Sequence, residues 1–313
     1  MFTDQDRLCV SLRAQWMGCG ATIASMPAEL HTLYGHTIGV NTLAFSPCGR
    51  YLFSADRDRS AILWDVLAGT QLHTVTFEDS ITSMRWRSGS QIFLGFEGGQ
   101  LLLYSPFMTE DAKEQEVLIG TVATIYSLDY NRNSDRLAVG VGSEVQVVAK
   151  LTADTYATSV LLPAPPTTQL PRDCEDSRLR PLSVHLLSRG SQVIVSYLNH
   201  GIVCWDVQTR TNLWCMKFDG NPVSGPIGGT ALSADSKSIV VFSLTGRMDL
   251  FSLGADVPLQ TYKFATPPEK TYPTAPVFLN GGSQVSCGSA DGIIHVWDVR
   301  TGLVQQLLDH NGE

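Results

Sequence analysis

Residues 30–65 read LHTLYGHTIGVNTLAFSPCGRYLFSADRDRSAILWD, and no other segment is as informative about the fold. Its second half contains two short apolar runs separated by polar turn residues, a pattern typical of antiparallel strands joined by tight turns. A Gly-His pair (Gly35, His36) precedes the runs, and a Trp-Asp pair (Trp64, Asp65) closes them. The same unit returns along the chain, and internal repeats of this kind determine the fold class.

The turn-and-strand unit occurs six times. Its first apolar run begins, at intervals of 40, 45, 56, 46 and 46 residues, at Leu52, Ile92, Leu137, Val193, Ile239 and Val285. Its second run closes, at intervals of 40, 44, 57, 46 and 46 residues, at Trp64, Tyr104, Val148, Trp205, Phe251 and Trp297. A period near 40–45 residues, with Gly, Ser, Asn or Asp in the turns, is that of the four-stranded blades of a β-propeller.

From its Gly-His pair to its Trp-Asp pair, the first unit resembles a complete repeat of the WD40 family. The resemblance covers residues 30–308 and is weakest in the second and third units, where neither pair occurs. It implies an all-β fold, a WD40 β-propeller formed by residues 30–313 after an N-terminal segment 1–29. Six recognisable four-stranded blades are expected near residues 35–77, 78–117, 118–162, 182–218, 227–264 and 275–308. Several stretches, such as CGSADGIIHVWDVRTG, also resemble uncharacterised WD40 proteins of mushroom-forming fungi.

The closure of the predicted propeller leaves three alternatives. The strand before the Gly-His pair, Leu30 to Tyr34, is expected to be the outermost strand of the last blade, yet the chain ends soon after the sixth unit. An open ring would expose sheet edges. The sequence is therefore a fragment of a seven-bladed protein, which we favour, or the ring closes with six blades, or residues 1–29 supply the inner strands of blade seven.

The WD40 resemblance implies a hydrogen-bonded tetrad in the first blade, formed by His36, Ser54, Asp58 and Trp64. In the sixth blade it implies a partial tetrad, formed by Cys287, Asp291 and Trp297. A set of Ser, His and Asp also matches the composition of a hydrolase triad, but the sequence supplies neither an oxyanion hole nor a substrate cleft. We therefore expect a structural role, because buried polar groups must be paired.

Composition argues against several other functions. The net charge of −8, from 22 basic and 30 acidic residues, repels phosphate backbones and predicts no nucleic-acid partner. The cysteines and histidines lack the spacing of metal ligands, and the glycine pairs lack a dinucleotide-binding context, so no metal and no cofactor are expected. Neither a signal peptide nor an apolar run of about 18 residues occurs, which predicts no membrane partner and a cytoplasmic or nuclear location.

Partner binding is expected on loops that depart from the minimal repeat. Three neighbouring connections between blades are rich in Pro or Gly and emerge on one face: 163–181, 220–229 and 265–276. The candidate partner-binding residues in them are Arg172, Arg178, Arg180 and Tyr272. The alternative is that these loops are insertions without a function, which cost little stability on a surface.

These observations predict a non-catalytic scaffold that binds protein or peptide partners, as a monomer or within a heteromeric complex. A second hypothesis is a substrate receptor of a cullin-type ubiquitin ligase, because Trp297-Asp298-Val299-Arg300 matches the WDxR box by which some WD40 proteins dock onto a ligase adaptor. In that hypothesis Arg300 contacts the adaptor. A propeller enzyme is disfavoured, because no acid, base and nucleophile set converges at equivalent blade positions.

Overall fold

The fold is described from a computed structural model of the chain. The structure describes residues 7–10, 31–107, 114–152, 155–166, 178–216, 225–264 and 271–309. Within these ranges every regular element is a β-strand, apart from two 3-10 turns at Ser188–Gly190 and Asn280–Gly282. The prediction of an all-β protein is confirmed.

Six antiparallel sheets of four strands each follow one another along the chain. We number them blades 1 to 6. Within each blade the strands pair in chain order, from an inner first strand to an outer fourth strand, as the repeat of apolar runs and turns predicts. The six four-stranded blades expected from the sequence are therefore confirmed.

The chain divides into two compact units, of which the first comprises Met1–Ile125 and Leu151–Ala157. It begins with an antiparallel strand pair, β1 (Arg7–Val10) and β2 (His31–Tyr34). Blade 1 consists of β3 (Val40–Phe45), β4 (Tyr51–Asp56), β5 (Ser60–Asp65) and β6 (Thr70–Thr76). Blade 2 consists of β7 (Ile81–Trp86), β8 (Ile92–Phe96), β9 (Leu101–Tyr104) and β10 (Glu114–Glu116).

The second unit comprises Tyr126–Lys150 and Thr158–Glu313 and contains most of blade 3 and all of blades 4 to 6. Blade 3 consists of β11 (Ile125–Asn131), β12 (Arg136–Val141), β13 (Glu144–Lys150) and β14 (Tyr156–Leu161). Blade 4 consists of β15 (Pro181–Leu187), β16 (Gln192–Tyr197), β17 (Gly201–Asp206) and β18 (Asn212–Met216). Blade 5 consists of β19 (Ile227–Leu232), β20 (Ser238–Ser243), β21 (Arg247–Ser252) and β22 (Pro258–Tyr262). Blade 6 consists of β23 (Val277–Leu279), β24 (Gln284–Gly288), β25 (Ile293–Asp298) and β26 (Val304–Asp309).

The hydrophobic core lies between neighbouring blades. The middle strands are apolar on both faces, and every residue of β8 is buried. The outer strand β6 instead alternates between exposed and half-buried positions. Phe53 and Leu63 of blade 1 pack against Trp86 and Leu94 of blade 2, and Met248 of blade 5 packs in one cluster with Trp297 of blade 6. Burying one large apolar side chain contributes about 1.5–3 kcal/mol.

Polar side chains on the inner strands join neighbouring blades. The register of β3 and of β7 shifts by one residue, and the extra residue is Asn41 in β3 and Thr82 in β7. The Asn41 amide donates to the Ile81 carbonyl at 2.7 Å, and the Thr82 hydroxyl donates to the Ile125 carbonyl at 2.6 Å. Bulges of this kind re-aim a side chain out of the regular pleat, here toward the next blade.

The expected connection 163–181 ends inside a strand. Pro181 is the first residue of β15, and its carbonyl accepts a hydrogen bond from the Ser127 hydroxyl at 2.8 Å. Residues 167–177 lie outside the described residues. A seventh blade stays a prediction, since β2 pairs with β1 alone in the part of the chain that the structure describes.

Candidate functional site

The polar cluster of blade 1 is a chain of short hydrogen bonds. The Trp64 indole on β5 donates to Ser54 Oγ on β4 at 2.9 Å. Ser54 Oγ lies 2.7 Å from His36 Nε2, and His36 Nδ1 lies 2.8 Å from Asp56 Oδ2. With the imidazole proton on Nδ1, the Ser54 hydroxyl donates to Nε2 and every one of these polar atoms has a partner.

Asp56, not Asp58, is the carboxylate bonded to His36, which corrects the assignment of Asp58 made from the sequence. Side chains two residues apart on a strand share a face, so Asp56 lies on the same side of β4 as Ser54. Asp58 lies beyond the end of β4 and is exposed. The second oxygen of Asp56 accepts the backbone N–H groups of Asp58 and Ser60 at 2.9 and 3.0 Å, which fixes the turn.

The distances in this cluster resemble those of a hydrolase triad, but its burial does not. Ser54 is 0% exposed and His36 is 3% exposed, so no substrate reaches the hydroxyl. The Trp64 indole also occupies a lone pair of Ser54 Oγ. A nucleophile must be accessible beside an oxyanion hole, and this cluster instead ties two strands of one blade to the segment before β3.

The three residues of the expected partial tetrad in blade 6 do not bond to one another. The Trp297 indole donates to the Lys263 carbonyl of the preceding blade at 3.0 Å. Asp291 accepts the Ser289 hydroxyl, which lowers the pKa of Asp291. Burial raises the pKa of the Cys287 thiol to about 12, so this thiol stays protonated near neutral pH and is not a nucleophile.

The aspartates of the Trp-Asp pairs all stabilise the turn that follows. Asp65, Asp206 and Asp298 each accept the backbone N–H groups two and three residues later, at 2.7–3.1 Å. These backbone bonds are the first cause of the lowered pKa of all three carboxyls. Arg300 gives its backbone N–H to Asp298, and its side chain is exposed.

A small cavity opens between blades 5 and 6 beside Tyr272. Its volume is about 60 Å³. The residues that line it come from both blades and from the connection between them: Phe242, Phe264, Thr271, Tyr272, Thr274, Gly288, Ser289 and Ala290. Phe242 and Phe264 meet edge to face with ring centroids 6.0 Å apart, and Tyr272 is 60% exposed. The cavity therefore combines aromatic and hydroxyl groups.

The connection that carries Tyr272 is attached to blade 5 at two points. The Thr271 hydroxyl donates to the Leu244 carbonyl. Further along, Thr274 lies so close to Gly229 of the inner strand β19 that any Cβ at position 229 would collide with the Thr274 carbonyl oxygen. Glycine at this position thus allows the connection to approach the blade.

The predicted binding arginines lie apart from Tyr272 along the chain. Arg178 is exposed and Arg180 is half-buried, and both directly precede β15 of blade 4. The Arg180 carbonyl accepts the Leu198 N–H at 3.0 Å, which attaches this end of the connection to blade 4. Arg172 lies outside the described residues.

Among the described residues, no group of three or more His, Cys, Asp or Glu side chains is arranged to hold a metal ion. In the same part of the chain, no helix has the length and apolar character needed to cross a membrane. The arrangement that remains is a small exposed cavity beside a fixed connection.

Two stretches of the chain match the family model of the WD40 repeat (WD domain, G-beta repeat), at residues 28–65 and 274–298. These two stretches are WD40-like repeats. The first match spans β2 to β5 with the His36–Ser54–Asp56–Trp64 cluster, and the second spans β23 to β25. These are the two blades that resemble the WD40 repeat most closely in sequence.

Curated proteins of the WD40 type are similar to parts of this chain. "Ribosome biogenesis protein erb1" of Aspergillus fumigatus is 34% identical over 97 residues, which is 29% of this chain and 12% of that protein. "WD repeat-containing protein SL1-17" of Schistosoma mansoni is 26% identical over 136 residues, or 44% of this chain and 42% of that protein. "Small ribosomal subunit protein RACK1" of Caenorhabditis elegans is 32% identical over 90 residues, or 29% and 27%. The chain thus spans less than half the length of each of these relatives.

WD40 propellers generally act as interaction scaffolds without catalysis. Residues that differ between blades are therefore the candidates for binding a partner. Sequence reasoning missed Asp56 and most of the cavity. One signal was present: Ser289 precedes Trp297 by the same number of residues as Asp56 precedes Trp64. Ser289 thus takes the place of a tetrad carboxylate, and it lines the cavity.

Proposed function

We propose that this chain is a non-catalytic interaction module, and that a protein or peptide partner docks at the Tyr272 cavity between blades 5 and 6. The observation that carries the proposal is the exposure of Tyr272 on the lining of a cavity that Phe242 and Phe264 also line. Exposed aromatic residues beside desolvated pockets are typical centres of binding energy at protein interfaces.

The size of the cavity favours a peptide side chain over a cofactor. Sites for small molecules usually enclose about 300–1,000 Å³, whereas this cavity has a volume of about 60 Å³. A single small apolar side chain fits such a space, with the rest of the partner lying across Tyr272. The hydroxyls of Thr271, Thr274 and Ser289 already donate within the chain, so their oxygens are acceptors for N–H groups of the partner's backbone.

Attachment of the connection lowers the cost of binding. Ordering a free loop upon association costs roughly 0.5–1.5 kcal/mol for each immobilised side chain. Here the connection is already attached to blade 5 through Thr271 and lies against Gly229. Tyr272 is therefore presented in place before a partner arrives.

The test compares Tyr272→Ala with Tyr34→Ala, a tyrosine of similar exposure (57%) on β2. Partners are captured with the wild-type chain, and the affinity of each purified partner is then measured by fluorescence anisotropy. We expect Tyr272→Ala to weaken binding by about tenfold or more, as loss of one hot-spot residue does, while Tyr34→Ala and Tyr272→Phe keep it. Equal affinities of the Tyr272→Ala and wild-type chains would contradict the proposal.

A deletion tests the longer connection between blades 3 and 4 separately. Removing residues 163–181 would also remove the Pro181 carbonyl that bonds Ser127. Deleting only residues 167–177 spares that bond and the strand β15. If the longer connection binds the partner, the deletion weakens capture; unchanged capture assigns binding to the Tyr272 cavity alone.

A substrate receptor of a cullin-type ubiquitin ligase is the second candidate function. The exposed Arg300 side chain in the turn between β25 and β26 favours it. Because Asp298 is engaged by the turn, the contact with an adaptor depends on Arg300. Arg210, an exposed arginine in the turn between β17 and β18, provides the control. Co-purification of cullin adaptor subunits, lost in Arg300→Ala and kept in Arg210→Ala, would support this function. Failure of the wild-type chain to retain such subunits would rule it out.

A further inference from the structure

Two turns meet in the second unit at the strand ends opposite to the Tyr272 cavity. One turn joins β11 to β12, and the other joins β15 to β16. Arg136 Nη1, at the end of the first turn, donates to the Gly190 carbonyl of the second turn at 3.0 Å. A Cβ on Gly190 would collide with the Ser134 hydroxyl, so the two turns are in direct contact.

Basic side chains gather where these turns meet. We name this group the basic seam: Arg132, Arg136, Lys150 and Arg189. Three of these side chains are exposed, and Arg136 is half-buried. Lys150 belongs to this end because its neighbour Ala149 pairs with Arg136. The chain as a whole carries a net charge of −8, so a concentration of positive charge runs against its composition.

Acidic side chains at this end have defined hydrogen bonds of their own. Asp129 Oδ2 accepts the Leu186 N–H at 2.7 Å, and Asp135 accepts the Tyr130 hydroxyl at 2.7 Å. Both carboxylates thus hold the turns in place. Within the described residues, no ion pair of Arg132 or Arg189 is found. Their guanidinium groups are available to a ligand.

The backbone at Arg189 is strained in a way that a second turn of the same protein avoids. Residues 188–190 have φ of 47°, 57° and 79°, and residues 280–282 of blade 6 have φ of 50°, 64° and 92°. Blade 6 has Gly281 at the central position, whereas blade 4 has Arg189. The left-handed region is unfavourable for a residue with a Cβ, and such strain tends to persist at functional sites.

We infer that the basic seam binds a short acidic segment of a protein partner, through its carboxylates or phosphate groups. Guanidinium groups bind both kinds of oxyanion with paired hydrogen bonds. A short segment suits the chain better than a long polyanion, because the overall negative charge repels a polymer that extends well beyond the Debye length of about 10 Å. This site lies at the opposite strand ends from the Tyr272 cavity and does not depend on it.

The test measures binding of a labelled hexaglutamate peptide and of a labelled phosphoserine peptide to the full chain at low ionic strength. The key variant is Arg189→Gly, which removes the charge while relieving the left-handed strain, so lost binding cannot come from lost folding. Asn280→Gly relieves left-handed strain in the equivalent turn of blade 6, at the position that corresponds to Ser188, and is the control. We expect Arg189→Gly and Arg132→Gln each to raise Kd about tenfold, and Asn280→Gly to leave it unchanged.

The two peptides distinguish carboxylate from phosphate as the source of negative charge. If the phosphoserine peptide binds more tightly than hexaglutamate and inorganic phosphate displaces it, the basic seam binds phosphate groups. Arg189→Lys should retain binding of hexaglutamate but weaken the phosphopeptide more, because lysine lacks the paired donors of arginine. The inference fails if neither peptide binds saturably or if Arg189→Gly binds like the wild type. It also fails if the wild-type chain binds single-stranded RNA or anionic vesicles more tightly than the peptides and the same variants lose that binding.

Discussion

Alanine substitutions at Asp56 and Asp58 separate two assignments of the carboxylate in blade 1. Asp56 is 1% exposed and accepts three hydrogen bonds: from His36 Nδ1 at 2.8 Å and from the backbone N–H groups of Asp58 and Ser60 at 2.9 and 3.0 Å. Asp58 is exposed, and no described residue donates a hydrogen bond to its carboxylate. The two substitutions remove the same chemical group two residues apart.

The expected magnitudes follow from burial. Asp56→Ala leaves the buried Nδ1–H group of His36 without an acceptor, and a buried donor left unsatisfied costs about 1–3 kcal/mol. The two backbone N–H groups lie in a turn where water can replace the carboxylate, so they add little to this cost. Asp58→Ala removes an exposed side chain, and the change in the free energy of unfolding is expected within about 0.5 kcal/mol.

Urea unfolding at neutral pH gives the total free energy for each variant, and hydrogen exchange of the peptides that contain β4 and β5 shows whether the loss is local. We expect faster exchange of both strands in Asp56→Ala and wild-type exchange in Asp58→Ala. Ser54→Ala should resemble Asp56→Ala, because it orphans His36 and Trp64 together. An Asp58→Ala variant as unstable as Asp56→Ala would refute the assignment.

Three further perturbations test the packing of the second unit. Arg247→Ala removes the cation that bonds the buried Asp249 carboxylate at 2.6 and 3.1 Å, so we expect urea unfolding to show a loss of about 3–5 kcal/mol. Burial lowers the pKa of His295 below its usual 6.5, so the unfolded chain binds the proton more readily than the folded chain does. The free energy of unfolding should therefore fall as the pH drops below about 6.5, by at most about 1.4 kcal/mol per pH unit. His295→Phe should flatten this pH profile. Gly229→Ala forces a Cβ against the connection that carries the cavity, and thermal unfolding should show a cost of about 1–3 kcal/mol, whereas Gly39→Ala, which meets no atom within 4 Å, should not.

The strands of this fold were predictable because blades repeat. Each middle strand is apolar along its length, and each pair of strands is separated by residues that suit tight turns, so apolar residues recur in every blade at the positions of Leu52 and Trp64. Both lie on strands in the structure, in β4 and β5. Even blade 2, which lacks both signature pairs, forms its four strands.

The choice between Asp56 and Asp58 was also within reach of the sequence. The family pattern points to the carboxylate nearer the tryptophan, but the two-residue period of a strand places Asp56 on the face of Ser54. Deciding between them requires the position at which β4 ends, and strand ends are poorly specified by a sequence with charged residues from 56 to 59. The structure ends β4 at Asp56.

Contacts between blades were beyond sequence reasoning. The bond from Trp297 to the Lys263 carbonyl and the collision that excludes a Cβ at Gly229 both depend on how neighbouring blades pack. Neither residue type nor spacing encodes these distances, because the partners come from different repeats. The Tyr272 cavity belongs to the same class, since its walls come from two blades and one connection.

The side chains that match the WD40 pattern best are the least informative about a partner. Asp65, Asp206 and Asp298 make the same backbone bonds in their turns, so a Trp-Asp pair reports a turn wherever it occurs. The polar groups of the cluster in blade 1 likewise bond one another, and their side chains are buried and cannot contact a ligand. Selectivity must then come from positions where the blades differ while the backbone stays the same. Arg189 in the place of Gly281 and Ser289 in the place of Asp56 are two such positions, and they lie at the two ends of the strands where we place the separate binding surfaces.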